Sequence, residues 1–282
     1  MREIQTIAIA GAGTMGSGIA QVCATAGLNV MLFDIMPAML ERARVNIEKS
    51  LDSLVSKGKI TSEKKIDILS KLRFTHVIDD LKADLILEAV VERLEIKHEF
   101  FQAVAAINAP DCILATNTSS IPVTQIAAKI PNPGRVVGIH FFNPAPIMKL
   151  VEIISGVQTE NSVAQDCLQW VTSLGKTCVM AKDAPGFIVN RVARHYYVEG
   201  LKVLEEQVAS FEDIDALMES SGFKMGPFRL MDLIGVDTNF SVTSSIYQLF
   251  HGDAKFRPSR IQQQKVDAGY HGKKSGKGFY AY

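Results

Sequence analysis

The chain reads as an α/β protein in which a doubly wound, mostly parallel sheet is followed by a smaller all-helical domain. Three observations predict this. Short apolar runs at 6–11, 30–33, 83–91 and 112–116 alternate with longer segments of helical period, as buried parallel strands joined by crossover helices do. A glycine cluster, Gly11-Ala12-Gly13-Thr14-Met15-Gly16, stands between the first strand and the first helix. Beyond 182–186 no strand-like run remains, and helical patterns take over. The expected domains are therefore 1–184, with a helical hairpin at about 37–72, and 185–282.

Composition narrows the function classes. At 282 residues the chain can bury a sizeable core. Lys and Arg number 30 and Asp and Glu number 30, so no bulk charge favours nucleic acid or an anionic membrane. No apolar run approaches the ~20 residues of a membrane span. The first residues lack the layout of a secretion signal. Cys23, Cys112, Cys167 and Cys178 are far apart with no CxxC spacing, which fits free thiols in a reducing compartment. A cytoplasmic protein is expected, with no nucleic-acid partner, no membrane partner and no metal.

Each element has its own justification. Residues 6–11 (TIAIAG) form a strand buried on both faces and closed by glycine. The next helix runs to Ala26 and is stopped by Gly27 and Asn29. Residues 30–33 make a second strand ending in Asp34. Helical patterns at 37–57 and 61–72 are separated by Gly58, and a short strand is expected at 73–77. The strand at 83–91 carries Glu88 and leads to Glu92, and Lys97 and His98 fall on the helix that follows, to about Ile107. The strand at 112–116 opens onto Asn117-Thr118-Ser119-Ser120. Apolar runs at 136–142 and 148–154 flank a Pro-rich turn, and a helix at 162–174 and a strand at 177–180 complete the first domain. In the second, 186–208 reads as one long helix. Shorter helices follow at 211–221, 227–234, 237–250 and 258–268.

The chemistry-bearing residues cluster at strand ends. Gly11 permits a tight turn, Gly13 lets a pyrophosphate approach the backbone, and Gly16 allows close helix–strand packing, which makes the sheet Rossmann-type. Thr14 and Met15 then open the helix and offer unpaired amides to phosphate. Asp34, 18 residues after Gly16, suits both ribose hydroxyls and repels a 2′-phosphate, so NAD is the expected cofactor; the other reading of Asp34 is a helix N-cap. The 117–120 cluster is either a helix cap or a substrate contact. The basic hairpin (Lys49, Lys57, Lys59, Lys64, Lys65) is either a solvated face or a phosphate site. Asn190, set among apolar residues, is either a packing amide or a cleft residue. His140 and Glu152 sit within apolar runs, where a carboxylate is costly unless it meets a partner. Two strands joined by a turn could pair them, as a hydrogen-bonded core histidine or as an acid/base unit.

Taken together, these motifs resemble the 3-hydroxyacyl-CoA dehydrogenase family in its short bacterial form. The matches are Gly11–Gly16 with Asp34, Asn117–Ser120, His140-Phe-Phe-Asn-Pro144, Met148-Lys-Leu-Val-Glu152, Pro185-Gly-Phe-Ile-Val-Asn-Arg191, Met225-Gly-Pro227 and Gly276-Lys-Gly-Phe-Tyr280. The resemblance implies NAD-linked interconversion of 3-hydroxyacyl-CoA and 3-oxoacyl-CoA, with 3-hydroxybutyryl-CoA the usual substrate, by a homodimer joined through the helical domain. It implies His140 as catalytic base, Glu152 as its partner, and Ser119 and Asn190 at the reacting end. Glu92, Lys97, Ser119, Asn143 and Lys274 match cofactor contacts; Ser50 and Lys57 match coenzyme A contacts, and Ser119 also matches a substrate contact. Two departures stand out: Arg194-His195-Tyr196-Tyr197 where the family is more aliphatic, and Gln207 where a glycine commonly closes the helix. A dehydrogenase of free 3-hydroxy acids and a non-enzymatic crystallin-like relative are the competing readings.

Overall fold

The computed structural model describes residues 4–282. The chain divides into two compact units, Met1–Ala184 and Pro185–Tyr282. The first holds eight strands in one sheet: β1 (Thr6–Ala10), β2 (Asn29–Phe33), β3 (Leu72–Thr75), β4 (Leu85–Glu88), β5 (Ile113–Thr116), β6 (Val136–Phe141), β7 (Leu150–Ser155) and β8 (Thr177–Lys182). Their order is β3-β2-β1-β4-β5-β6-β7-β8. All neighbours are parallel except β6 and β7. The chain winds outward from β1 to β3, then returns to the other side of β1 with β4. This reversal puts a crevice at the carboxyl ends of β1 and β4.

The helices of this unit are α1 (Thr14–Thr25), α2 (Pro37–Ser56), α3 (Ser62–Ser70), α4 (Leu94–Ile107), α5 (Val123–Ala127) and α6 (Asn161–Ser173). Pro37 opens α2, where a missing amide costs nothing. Thr61 caps α3 through the Lys64 amide. The central strands are buried along their length. Ile7, Ile9, Leu32, Leu87, Ile139, Val151 and Ile153 share one apolar core with α1, α2 and α6. The doubly wound, mostly parallel sheet is thus as the sequence predicts.

Four local expectations are corrected. Helix α3 stops at Ser70, and Leu72 belongs to β3; that edge strand takes the Val30 amide onto the Lys71 carbonyl. Asp34 is not the N-cap of α2, because Met36 holds that position. The segment 123–127, not anticipated as helix, forms α5, started by the Val123 and Thr124 amides bonding to the Asp183 carboxylate. The long helix of the second unit begins at Val189, not Gly186. Gly186 and Phe187 adopt φ of 73° and 47°, left-handed values that no α-helix accommodates.

The second unit is helical: α7 (Val189–Glu205), α8 (Phe211–Ser220), α9 (Pro227–Ile234), α10 (Val236–Leu249) and α11 (Arg260–Asp267). Tyr197, Leu201, Phe228, Met231, Val236 and Phe279 form its core. Beyond α11 come a 3₁₀ turn, Lys273–Ser275, and two isolated bridges, Gly272 to Lys277 and Lys277 to Ala281. Asp232, wholly buried, fastens this tail by accepting the Phe279 and Tyr280 amides at 2.9 Å each. Gln207, φ 57°, ends α7 in the left-handed conformation a glycine would adopt more cheaply. Among the described residues no helix is long and apolar enough to cross a membrane.

Candidate active site

The glycine loop turns at the carboxyl end of β1. Gly11 has φ 99°, and a Cβ there would strike the Ala89 carbonyl after β4. A Cβ on Gly16 would strike the Gly11 carbonyl, so only glycine lets α1 start this close to its strand. Gly13 differs: a Cβ on it would meet nothing within 4 Å. The bare backbone faces open space there, and no side chain caps α1. The first-turn amides at Thr14, Met15 and Gly16, with the helix dipole behind them, make a cradle of the right charge for a pyrophosphate. Asp34 leaves β2 beside this loop. Its carboxylate accepts the Ala12 amide at 2.8 Å and the Met36 amide at 2.9 Å. These bonds fix its orientation, and a carboxylate has further lone pairs for ribose hydroxyls.

Sequence reasoning missed the apolar rim of this crevice. Ile35, Met36 and Val91 follow β2 and β4, the two neighbours of β1, and are 77%, 55% and 59% exposed. The signal was present, since both apolar runs extend past the carboxylate that ends the strand.

A buried charge cluster lies across the next strands. Lys97, on α4, is 1% exposed, with its ammonium 2.6 Å from Glu88 and 3.0 Å from Glu92. Glu88 also accepts the Thr116 hydroxyl at 2.7 Å and the Val90 amide at 2.8 Å. Burial pushes the Glu88 carboxyl up, with Lys97 working against it. Burial pushes Glu92 up too, but Lys97, Thr118 and Ser120 outweigh it and hold its carboxyl below the usual range. Glu92 gathers the Thr118 hydroxyl, the Ser119 and Ser120 amides and the Ser120 hydroxyl. The 117–120 segment is therefore held by a carboxylate from another strand end and caps no helix. Asn117 accepts the Phe141 amide at 2.9 Å, tying the end of β5 to the end of β6.

His140 and Glu152 are register partners in the antiparallel β6–β7 pair. Cross-strand partners share a face, and here His140 Nδ1 lies 2.8 Å from Glu152 Oε2. Glu152 is fully buried and His140 nearly so. Ile139, Phe141, Val151 and Ile153, the alternating neighbours, join the apolar core on the other face. The Phe142 ring sits 4.5 Å from the imidazole. With Nδ1 turned to the carboxylate, Nε2 is the nitrogen for proton exchange. Asn143 follows on the exposed turn.

The remaining expected residues belong to other elements. Ser50 and Lys57 stand two turns apart on one face of α2, Ser50 half-buried and Lys57 exposed at the C-terminal end. In the helical unit, Asn190 is half-buried in the first turn of α7, less enclosed than its apolar surroundings predict. Lys274 pairs with Asp237 at 2.7 Å.

Comparison with known proteins completes the picture. Residues 6–184 match the model of the 3-hydroxyacyl-CoA dehydrogenase NAD binding domain, and residues 186–282 match that of the C-terminal domain. The chain is 49% identical to the 3-hydroxyadipyl-CoA dehydrogenase of Escherichia coli over 99% of its own length; it spans 59% of that relative. It is 40% identical to the probable 3-hydroxybutyryl-CoA dehydrogenase of Bacillus subtilis, covering 99% of this chain and 98% of the other. The crystal structure of (S)-3-hydroxybutyryl-CoA dehydrogenase from Ralstonia eutropha superposes with a TM-score of 0.95 at 40% identity, covering 99% of each chain.

Proposed function

Because the chain belongs to the 3-hydroxyacyl-CoA dehydrogenase family, we propose that it interconverts a short 3-hydroxyacyl-CoA, 3-hydroxybutyryl-CoA in the first instance, with the 3-oxoacyl-CoA, using NAD. The observation that carries this reading is the His140–Glu152 pair near the carboxyl end of β6, in the same sheet whose β1 ends in a phosphate-ready glycine loop.

NAD supplies the hydride acceptor or donor when bound. The amides of the 13–16 turn would hold its pyrophosphate, and Asp34 its adenosine ribose. Ile35, Met36 and Val91 offer an apolar surface for the base. Glu92, held by Lys97 and the serine amides, presents a fixed carboxylate at the next strand ends. Lys97 acts mainly by positioning Glu92, since its ammonium is enclosed. Ser119, Asn143 and Lys274 remain cofactor contacts by motif match.

His140 performs the proton step. In oxidation its neutral Nε2 takes the substrate hydroxyl proton; in reduction the imidazolium returns it to the developing alkoxide. Glu152 accepts the Nδ1 proton, fixes the tautomer and stabilises the imidazolium. Burial strengthens that stabilisation, because the pair is shielded from water. Ser119 and Asn190 are read as donors to the reacting oxygen or thioester. Ser50 and Lys57 are read as coenzyme A contacts, the lysine meeting a phosphate.

We place this activity in the cytoplasm and in a homodimer. Support for the dimer comes from apolar residues exposed on the helical unit, among them Val192, Leu217 and Phe223 at 67%, 67% and 50%. Loss of NADH absorbance on adding acetoacetyl-CoA tests the activity. No oxidation of NADH by the pure protein would exclude it and return the crystallin-like reading; turnover of free acetoacetate instead would favour the free-acid reading. Light scattering tests the dimer.

A further inference from the structure

Gln21 carries a buried carboxamide without a partner, and it borders a cavity. The cavity, of about 160 Å³, lies between α1 and α2 and is lined by Thr14, Ser17, Gly18, Gln21, Asn46 and Ile47. All of these belong to the first unit. Gln21 is 4% exposed. Its backbone carbonyl takes the Thr25 hydroxyl at 2.7 Å, but among the described residues its side chain makes no hydrogen bond. Ser17 does not donate to it, because that hydroxyl is given to the Gly13 carbonyl at 2.8 Å. A buried amide left unanswered is costly. A second amide satisfies it whichever way the carboxamide is turned, since it offers a donor on one edge and an acceptor on the other.

The cavity sits among features already given a part in the proposed reaction. Thr14, at its α1 end, is the first residue of the phosphate-ready turn. A Cβ on Gly18 would come 3.2 Å from Pro146 Cδ and 3.3 Å from Ala145 Cβ, so α1 lies against the turn that follows His140. On the other side, Asn46 is exposed and stands one turn before Ser50, on the α2 face that also carries Lys57. Gly18 and Ile47 supply apolar wall between these polar groups. A polar contact flanked by apolar surface suits an amide with methylenes on either side. The arm that joins a thioester to the nucleotide of coenzyme A, pantetheine, contains two such amides.

We infer that Gln21 is a specificity-determining residue that holds an amide of the substrate's pantetheine arm in the cavity between α1 and α2. This rests on the dehydrogenase reading above and deepens it. Gln21 answers one edge of that amide, and Asn46 borders the arm where it leaves toward Ser50 and Lys57. A thioester whose arm has no amide leaves Gln21 as unanswered as it is in the free protein.

The test follows NADH oxidation with two acetoacetyl thioesters that differ only in the arm, pantetheine with its amides and ethanethiol with none. In the wild type the pantetheine thioester should have the higher kcat/KM. Gln21→Met, close to glutamine in volume, should raise KM for the pantetheine thioester about 3- to 10-fold, the range of one hydrogen bond. Its kcat, its KM for NADH and its constants for the ethanethiol thioester should stay near wild type. Its melting temperature should be no lower than that of the wild type, because an unanswered amide has been removed. A folded Gln21→Met with an unchanged KM for the pantetheine thioester overturns the inference, and the cavity then holds water alone. An equal rise in KM with both thioesters, or equal efficiency with both in the wild type, overturns it as well. So does a Gln21→Met that fails to fold, since the carboxamide would then serve the protein's own packing. Reduction of acetoacetyl-CoA that does not depend on Gln21 removes this inference alone. Failure to reduce acetoacetyl-CoA or either thioester removes the dehydrogenase reading and this inference with it.

Discussion

Lys97 and Glu88 form an ion pair that water does not reach, 2.6 Å apart with side-chain exposures of 1% and 0%. Such a pair is weak evidence of stability as a unit, but breaking it leaves a buried charge alone. Lys97→Met should therefore destabilise the protein by about 3–5 kcal/mol. The double variant Lys97→Met with Glu88→Gln should recover part of the loss. Urea unfolding midpoints decide it; equal midpoints for the single variant and wild type would remove the argument.

Glu92 gives this cluster a pH dependence. Its folded carboxyl is held below the ordinary value by Lys97, Thr118 and Ser120 against the pull of burial. A depressed folded pKa adds stability that is complete above the unfolded value, about 4.3, and lost as pH falls through the lower folded value. Glu92→Gln should flatten that acid limb of stability against pH. It should also weaken NADH binding measured by fluorescence titration.

His140 and Glu152 should behave as one unit. His140→Gln removes the proposed proton acceptor, and the expected loss is about 10²–10⁴ in rate. Once it is gone, Glu152 has nothing to orient, so adding Glu152→Gln should slow the reaction little further. A double-mutant cycle on acetoacetyl-CoA reduction measures this, with circular dichroism as the check on folding. Multiplicative losses in folded variants would mean that the two residues act separately.

Asp34 holds the loop geometry through the Ala12 and Met36 amides, and ribose recognition is its proposed second role. Asp34→Ala should raise the Kd for NADH roughly tenfold, the scale of one charged hydrogen bond. The wild type should strongly prefer NADH over NADPH, because a 2′-phosphate would meet this carboxylate. Comparable kcat/KM with the two cofactors would refute the assignment.

Lys57, exposed at the end of α2, is the residue to remove for coenzyme A. Lys57→Ala should raise KM for acetoacetyl-CoA several-fold, more at low salt because exposed charges are screened, and leave NADH affinity near wild type. An equal rise in KM for a pantetheine thioester, which lacks the nucleotide phosphates, would point elsewhere.

Much of the fold was legible because its signals are local. β1, β4 and β5 are short apolar runs closed by glycine or a polar residue, and helix breaks at Gly27 and Gly58 obey backbone sterics. Elements that depend on distant partners were harder. Helix α5 is started by Asp183, some sixty residues away in sequence. Leu72 has helical neighbours but completes an edge strand whose partner is β2. At the site, the His140–Glu152 pair was readable as two polar residues stranded in apolar runs. The burial of Lys97 was not, since a lysine on an amphipathic helix ordinarily faces water, and only the sheet order brings Glu88 and Glu92 to it.

The His140–Glu152 contact also serves as a gauge of strand alignment. It exists because β6 and β7 are antiparallel with these two residues opposite each other. Side chains alternate faces along a strand, so a slip of one residue would turn Glu152 into the packed layer that holds Val151 and Ile153. The misaligned hairpin would pay for a solitary carboxylate in hydrocarbon, while the aligned one joins the same group to His140 in the pair proposed to handle the proton. Chemistry and negative selection against misfolding thus coincide in one glutamate, and lengthening or shortening the 142–149 turn should be tolerated only where the opposition of residues 140 and 152 survives.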